Sequence, residues 1–230
     1  MLRGQTCTLS QSKGPIMVTR VESGVAGLAA IGTSVALTVS MVLFGGGPPS
    51  ARGNVVRDWY AANATSLRIG ALAWVLAMVG LVAFAVGFRE ALWATVLDRN
   101  WAVLLFVQGA VVFATIAVVR AALGWSLADQ AVAGAVSADL AGMMWAIERT
   151  LLRFATWGLT VPLVLVGLAL ARHSLMGQIA AAASVIIAVA LLVPITWTPA
   201  MFAFCAWLAF AGLTLLMPMR QSESHPEFVR

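Results

Sequence analysis

The chain of 230 residues is 61% hydrophobic and only 10% charged. Soluble domains carry roughly 25% charged residues, so the composition excludes an ordinary water-soluble fold and indicates an integral membrane protein. The formal net charge of +5 does not indicate nucleic-acid binding, because the arginines stand singly at the ends of apolar stretches and form no basic face.

The chain opens with a polar leader, residues 1–21, which is expected to be disordered. The first apolar run follows at 24–44 and is closed by glycines and prolines at 45–49. This run is too long for a cleaved signal peptide and lacks a clear small-residue cleavage site, so a retained first helix is predicted. In the connection that follows, residues 55–60 combine an aromatic pair with charged neighbours, which suits a short segment at the membrane interface.

Three further apolar stretches are uncharged inside and bounded by arginines: residues 68–89, 99–120 and 153–172. As helices they would measure roughly 27–30 Å, which matches the hydrocarbon core of a bilayer. The bounding arginines are therefore interpreted as anchors among the lipid headgroups. The corresponding membrane helices are predicted at 67–88, 101–119 and 154–171.

The connection before the fourth helix, residues 123–153, is amphipathic in its second half. Apolar residues recur there at helical spacing, while Arg149 and Arg153 fall on the opposite face. This pattern predicts a helix that enters the fourth pass obliquely and turns its polar side toward water or toward the bundle.

No residue carries a fixed charge between Arg172 and Arg220, a distance about twice what one spanning helix requires. Near its middle, residues 194–199 include two prolines and a tryptophan, which suit a tight turn between two passes. The predicted fold is therefore all-α, a polytopic membrane helix bundle with about six transmembrane helices. This transmembrane domain would occupy residues 22–219, followed by a short polar tail at 220–230.

An even number of passes places both termini on one side of the membrane. If the N-terminus is cytoplasmic, the fourteen basic residues divide eight inside to six outside. If translation starts at Met17 instead, the two sides are equal. Thirteen of the fourteen basic residues are arginine, a bias that suggests a GC-rich bacterial genome. We expect a multi-pass protein of the bacterial inner (plasma) membrane with both termini cytoplasmic.

Sequence patterns of catalytic, cofactor and metal sites are absent. There is no glycine-rich phosphate loop, no Cys-x-x-Cys and no His-Glu-x-x-His, and the two histidines, His173 and His225, stand far apart. Two cysteines cannot form a disulfide framework. We therefore predict no catalytic, cofactor-binding or metal-binding residues, no cofactor and no enzymatic activity.

Gln108 is the only strongly polar side chain predicted well inside a span. The common explanation for such a residue is a hydrogen bond between helices, worth roughly 0.6 kcal/mol on average. The alternative is a contact with a substrate. The first explanation is favoured because polar contacts between membrane helices are frequent.

Glu148, Arg149 and Arg153 form the only charged cluster near the end of a predicted span. Arg149 and Arg153 are one helical turn apart, so both face an anionic partner such as a lipid phosphate or a carboxylate. The favoured alternative is that both side chains snorkel to headgroups as ordinary anchors.

Small residues repeat every fourth position along the first helix at Ala26, Ala30 and Ser34. Such a stripe lets another helix approach closely. The approaching helix could belong to this chain, to a second copy or to another protein. In the fourth helix, Pro162 predicts a kink.

The segments 58–60, 63, 68–71 and 88–92, which read Asp-Trp-Tyr, Asn, Arg-Ile-Gly-Ala and Phe-Arg-Glu-Ala-Leu, resemble small multi-pass membrane proteins of actinomycetes. These proteins belong to a family classed as a domain of unknown function. The resemblance covers about residues 56–92. It implies a six-helix bacterial inner-membrane protein without an assigned activity, and it supplies no catalytic residues to transfer.

Three classes of function are consistent with the sequence. Uncharged helices, a small-residue stripe and little mass outside the membrane favour a structural or accessory bundle that packs with itself or with a partner membrane protein. A small transporter or permease component is the alternative, although it would be expected to place more polar residues at the membrane midplane. A lipid-modifying enzyme would require a carboxylate or histidine constellation that is missing. The expected partners are the lipid bilayer and a membrane protein or second copy, without nucleic acid.

Overall fold

The computed structural model describes residues 18–44, 47–93, 100–170, 175–193 and 197–216. All regular secondary structure within these ranges is α-helical. In chain order the helices are α1 (Val18–Phe44), α2 (Gly53–Ala62), α3 (Ala64–Trp93), α4 (Asn100–Val132), α5 (Ala138–Leu170), α6 (Leu175–Leu192) and α7 (Trp197–Leu216).

The six longer helices form a closed ring. Each packs against two neighbours in the order α1, α3, α4, α5, α6, α7 and back to α1. Helices α1 and α3 run antiparallel, because Gly80 of α3 lies against Thr33 of α1, whereas Gly70 lies against Phe44 at the other end of α1. The short α2 packs on the outside of α4 and α5 at one end of the ring.

The composition of the helices indicates that this ring lies in a membrane. Four of them are long and apolar enough to cross a bilayer: α1, α3, α4 and α7, over Gly24–Phe44, Ala64–Arg89, Leu104–Val132 and Thr198–Leu216. In α6 the described residues Gln178–Leu192 form a shorter apolar stretch. Branched aliphatic side chains cover the outer faces, as at Leu28, Leu76 and Ile186, which are 64%, 67% and 67% exposed. These are the surfaces that contact lipid.

The inside of the ring is packed with large side chains and alanines. Trp74, Phe84, Phe113 and Phe204 are almost completely buried there. Among the described residues, Arg120 and Glu148 are the only charged residues that are buried. The remaining buried polar side chains among these residues are hydroxyls that donate to backbone carbonyls.

The small-residue stripe of α1 packs within the chain. Ala26 and Ala30 are buried, and the hydroxyl of Ser34 donates to the carbonyl oxygen of Cys205 in α7 at 2.7 Å. At the closest point a Cβ on Gly212 would lie 2.6 Å from the carbonyl oxygen of Gly27. The stripe therefore closes the ring between α1 and α7, which leaves it unable to recruit a partner.

The predicted end of the third membrane helix, residue 119, is wrong. The helix α4 continues past this residue to Val132. A single charge such as Arg120 does not end a helix, and the apolar span of α4 continues past it to Val132. The helix stops at Gly134, whose φ of +65° starts a Schellman cap. In this cap the N–H groups of Ala135 and Gly134 donate to the carbonyls of Gln130 and Ala131.

Two further predicted segments lie in helices of the structure. The segment 55–60 lies in α2, and the amphipathic second half of the connection 123–153 is the first part of α5, which then continues without a break past Pro162. The predicted turn at 194–199 agrees only in part, because residues 197–199 form the start of α7 and residues 194–196 lie outside the described part. Residues 18–21 of the predicted disordered leader, 1–21, lie in the first turn of α1, so that part of the prediction is wrong. The rest of the leader and the predicted tail lie outside the described part.

Candidate binding cavity at one end of the bundle

A cavity of about 690 Å³, the end cavity, lies at the end of the ring where α1, α4 and α6 finish and α3, α5 and α7 begin. All seven helices contribute to its lining. Its volume falls within the range of roughly 300–1,000 Å³ that small-molecule sites occupy. The aromatic residues of its wall are Phe44, Trp59, Tyr60, Trp74, Trp145, Trp157 and Phe202.

The short helix α2 forms one side of the end cavity. Its Val56 and Tyr60 are buried in a second apolar cluster with Leu127 of α4 and Val136 ahead of α5. The start of α2 lies so close to α5 that a Cβ on Gly53 would overlap the carbonyl of Ala138. This docking fixes the direction of α2 and brings Tyr60 to the buried charges.

Those charges form a buried triad on three helices. Arg120 of α4 places Nη2 2.9 Å from Oε1 of Glu148 on α5, and the Tyr60 hydroxyl of α2 donates to Oε2 of Glu148. Arg120 is 9% exposed and Glu148 is 4% exposed. A buried ion pair is tolerated when its remaining lone pairs are hydrogen-bonded, and Tyr60 satisfies the second oxygen of Glu148.

Tyr60 keeps its proton in this setting. Burial, together with the charge of Glu148 and the hydrogen bond to it, raises the pKa of Tyr60 well above its ordinary value of 10.0, while the positive charge of Arg120 acts in the opposite direction. The hydroxyl is therefore a permanent donor to Glu148 at physiological pH.

Arg120 also lies against two aromatic rings. Its guanidinium carbon is 4.8 Å from the ring centre of Phe44 and 5.1 Å from that of Trp74, within the range of cation–π attraction. Two buried donors at this position, Nε of Arg120 and Nε1 of Trp74, have no hydrogen-bond partner among the described residues. Buried donors are nearly always paired in proteins. Both residues line the end cavity.

The rim of the end cavity is positively charged. Arg149 and Arg153 are exposed on α5 and line the cavity, and the guanidinium of Arg149 stacks 4.8 Å from the ring centre of Trp145. Three arginines line the cavity against one glutamate, which leaves an excess of two positive charges.

The structure brings together three of the four polar residues singled out from the sequence. Glu148, Arg149 and Arg153 all line the end cavity, and their predicted role as anion contacts stays a prediction. Gln108 lies elsewhere, exposed on the outer face of α4, and no hydrogen bond joins it to another described residue. The hydrogen bond between helices that was predicted for Gln108 therefore stays a prediction.

Sequence reasoning missed Tyr60, Trp74 and Arg120. The interpretation of Arg120 as a headgroup anchor is wrong, because its side chain is buried in the triad. One signal was present: Glu148 is a carboxylate at the end of a span, where an ionised group needs a partner. The spacing of residues along the chain did not show which basic residue supplies that partner.

Within the described part of the chain, no group of His, Cys, Asp and Glu side chains is arranged to hold a metal ion. Compared with known proteins, the chain matches no family model, no curated protein and no solved structure. The resemblance to actinomycete membrane proteins therefore stays a prediction.

Proposed function

We propose that this protein is a six-pass membrane protein that binds an amphipathic small molecule in the end cavity, as a small transporter or permease component. One observation carries the proposal. The end cavity is lined by all seven helices, and its lining includes Arg120 and Glu148, the two buried charged side chains among the described residues. Buried charges in membrane proteins are costly and usually mark the path of a ligand or ion.

Six passes are supported by the closed ring. The helices α5 and α6 occupy ring positions equivalent to those of α1, α3, α4 and α7, each packed between two neighbours. The charges of α5 lie in its first half, so its second half can cross the bilayer. The bacterial inner membrane, the cytoplasmic termini and the actinomycete family remain part of this proposal.

The closed inner end of the cavity favours a transporter. Beyond the lining residues Trp74 and Arg120, the ring is filled by buried side chains such as Phe113, Leu159 and Leu208. A site that is reached from one side only corresponds to one state of an alternating-access carrier. The small-residue stripe no longer supports an accessory role, since it packs inside the chain.

The proposal is tested by native mass spectrometry of the protein released gently from its own membrane. We expect a defined small molecule or lipid to stay bound at one copy per chain. Ala51→Trp should displace it, because Ala51 is exposed and lines the end cavity. Ala62→Trp is the matched control, since Ala62 is also exposed but lies outside the lining and should retain the ligand.

An accessory bundle is the second candidate, favoured by one feature of α5. Leu140, Met143 and Ile147 are 41%, 58% and 47% exposed on the part of α5 that precedes the buried triad. A stoichiometric second protein in the mass spectrum, with no small molecule retained, would overturn the transporter proposal and establish this role.

A further inference from the structure

We infer that the ligand carries a carboxylate or phosphate group, and that this oxyanion binds against Trp74 and Arg120 at the inner end of the end cavity. The inference rests on the proposed function and names the ligand class of the same site. It is drawn from the unpaired donors, the charge balance and the aromatic wall.

The unpaired donors require an acceptor. Nε of Arg120 and Nε1 of Trp74 are buried N–H groups without a partner among the described residues, and neither atom can accept a hydrogen bond. The guanidinium carbon of Arg120 lies 5.1 Å from the ring centre of Trp74. Because the two side chains are neighbours, we place one ligand group with two or three oxygens at both donors.

The charge balance selects an anion over a neutral acceptor. Both oxygens of Glu148 are already engaged, by Arg120 and by Tyr60. The remaining excess of two positive charges comes from Arg149 and Arg153, which lie one helical turn apart at the rim. An oxyanion reduces this excess and accepts charge-assisted hydrogen bonds, which are stronger than those to a neutral carbonyl.

The aromatic wall fits the rest of the molecule. Trp59, Trp145 and Trp157 line the cavity and offer an apolar surface to an alkyl chain or ring. The ligand is therefore an oxyanion on an apolar body. That chemistry is shared by a lipid with a phosphate headgroup and by a free amphipathic carboxylate.

The test uses the full chain in nanodiscs of zwitterionic phosphatidylcholine, titrated with dodecanoate, its neutral methyl ester, phosphatidic acid and inorganic phosphate. We expect one or both amphipathic anions to bind at least about tenfold more tightly than the ester, as charge-assisted bonds at a partly dry site predict. Preference for phosphatidic acid would identify a lipid ligand, and preference for dodecanoate a free carboxylate. Inorganic phosphate should bind weakly, because it lacks the apolar body.

Two variants locate the anion. Trp74→Phe keeps an aromatic ring but removes the Nε1 donor, and Arg149→Gln/Arg153→Gln removes the charge of the rim. Each should weaken binding of the preferred anion several-fold and weaken binding of the ester by less, because bonds to a neutral carbonyl are weaker. Arg57→Gln is the charge control, since Arg57 lies on α2 outside the lining.

The outcomes separate this inference from the proposed function. If the ester and both amphipathic anions bound equally well, the inference that the ligand is an anion would be overturned. The proposed binding of an amphipathic molecule in the end cavity would still stand. If none of the amphiphiles bound, the proposed function itself would fail. An equal loss of anion and ester binding in Trp74→Phe would show that the ring, not its N–H group, is required, and would overturn the inner subsite.

Discussion

At the scale of single residues, Tyr60 gives the buried triad an optical reporter. It is the only tyrosine of the chain, so any tyrosinate absorbance comes from this side chain. Burial and the Glu148 carboxylate raise the pKa of Tyr60 in the folded protein, so the fold retains a proton that the unfolded chain loses near pH 10.0. The contribution of Tyr60 to stability is therefore complete below that pH and is lost as the pH rises above it.

We expect the folded protein to show no tyrosinate absorbance when it is titrated through pH 10.0, and to show it on unfolding. The free energy of unfolding should fall more steeply above this pH in the native protein than in Tyr60→Phe. Ultraviolet difference spectra and denaturant unfolding at matched pH values measure both effects. A tyrosinate signal with an ordinary midpoint in the folded state would contradict the buried position of Tyr60.

The ion pair of the triad makes a second prediction at this scale. Glu148→Ala leaves the charge of Arg120 buried without a partner and should destabilise the protein by about 3–5 kcal/mol. Arg120→Met combined with Glu148→Leu should cost less than the single change, because no unpaired charge remains. Unfolding in detergent measures the three proteins.

The pair Arg68–Asp129 provides the control for this prediction. Its atoms Nη2 and Oδ1 are 2.5 Å apart, but the two side chains are 38% and 47% exposed. Asp129→Ala should therefore cost only about 0–1 kcal/mol. If Asp129→Ala and Glu148→Ala lowered the free energy of unfolding equally, burial of the Arg120–Glu148 pair would not determine how much the pair contributes to stability.

At the scale of helices, the crossing of α1 and α7 tests how the ring is closed. A methyl group on Gly212 would lie 2.6 Å from the backbone oxygen of Gly27, so Gly212→Ala should push the two helices apart and cost about 1–3 kcal/mol. Gly32→Ala is the matched control on α1, because its new methyl group would meet nothing within 4 Å. Thermal unfolding of both variants checks the prediction, and similar midpoints would contradict the tight crossing.

The helices also show which parts of the fold the sequence could predict. The arginine brackets predicted hydrocarbon spans, because a fixed charge is costly in lipid. They did not predict where α4 ends, since that depends on the cap at Gly134 rather than on Arg120. The amphipathic first part of α5 was predictable because helical periodicity does not depend on the partner it faces.

At the scale of the whole molecule, the site depends on ring closure and could not be predicted from spacing. Tyr60, Trp74, Arg120 and Glu148 come from four different helices. They meet because α3, α4 and α5 are consecutive in the ring and α2 docks beside them. A sequence pattern shows that each helix has an apolar face, but many orders of packing satisfy those faces equally well. The sequence pattern also did not show that Gln108, its most evident polar residue within a span, lies on the outside of the ring.

The ring also sets where the end cavity opens relative to the two ends of the bundle. It lies where α1 ends and α7 begins, so it faces away from the start of α1 and the end of α7. With cytoplasmic termini, the ligand is bound from the outside of the cell. We therefore expect Ala51→Cys, in a background without Cys7 and Cys205, to react with an impermeant maleimide on intact cells.

The control for this labelling is His225→Cys in the C-terminal tail, which should react only after lysis. Protection of Ala51→Cys by the preferred anion, with no protection of Ala62→Cys, would place the ligand in the end cavity on that side. The reverse labelling pattern would invert the orientation without moving the site, because the opposition of cavity and termini is set by the ring. Labelling of both positions from one side would contradict six passes, since an even number of crossings places the connection after α1 and the tail on opposite faces.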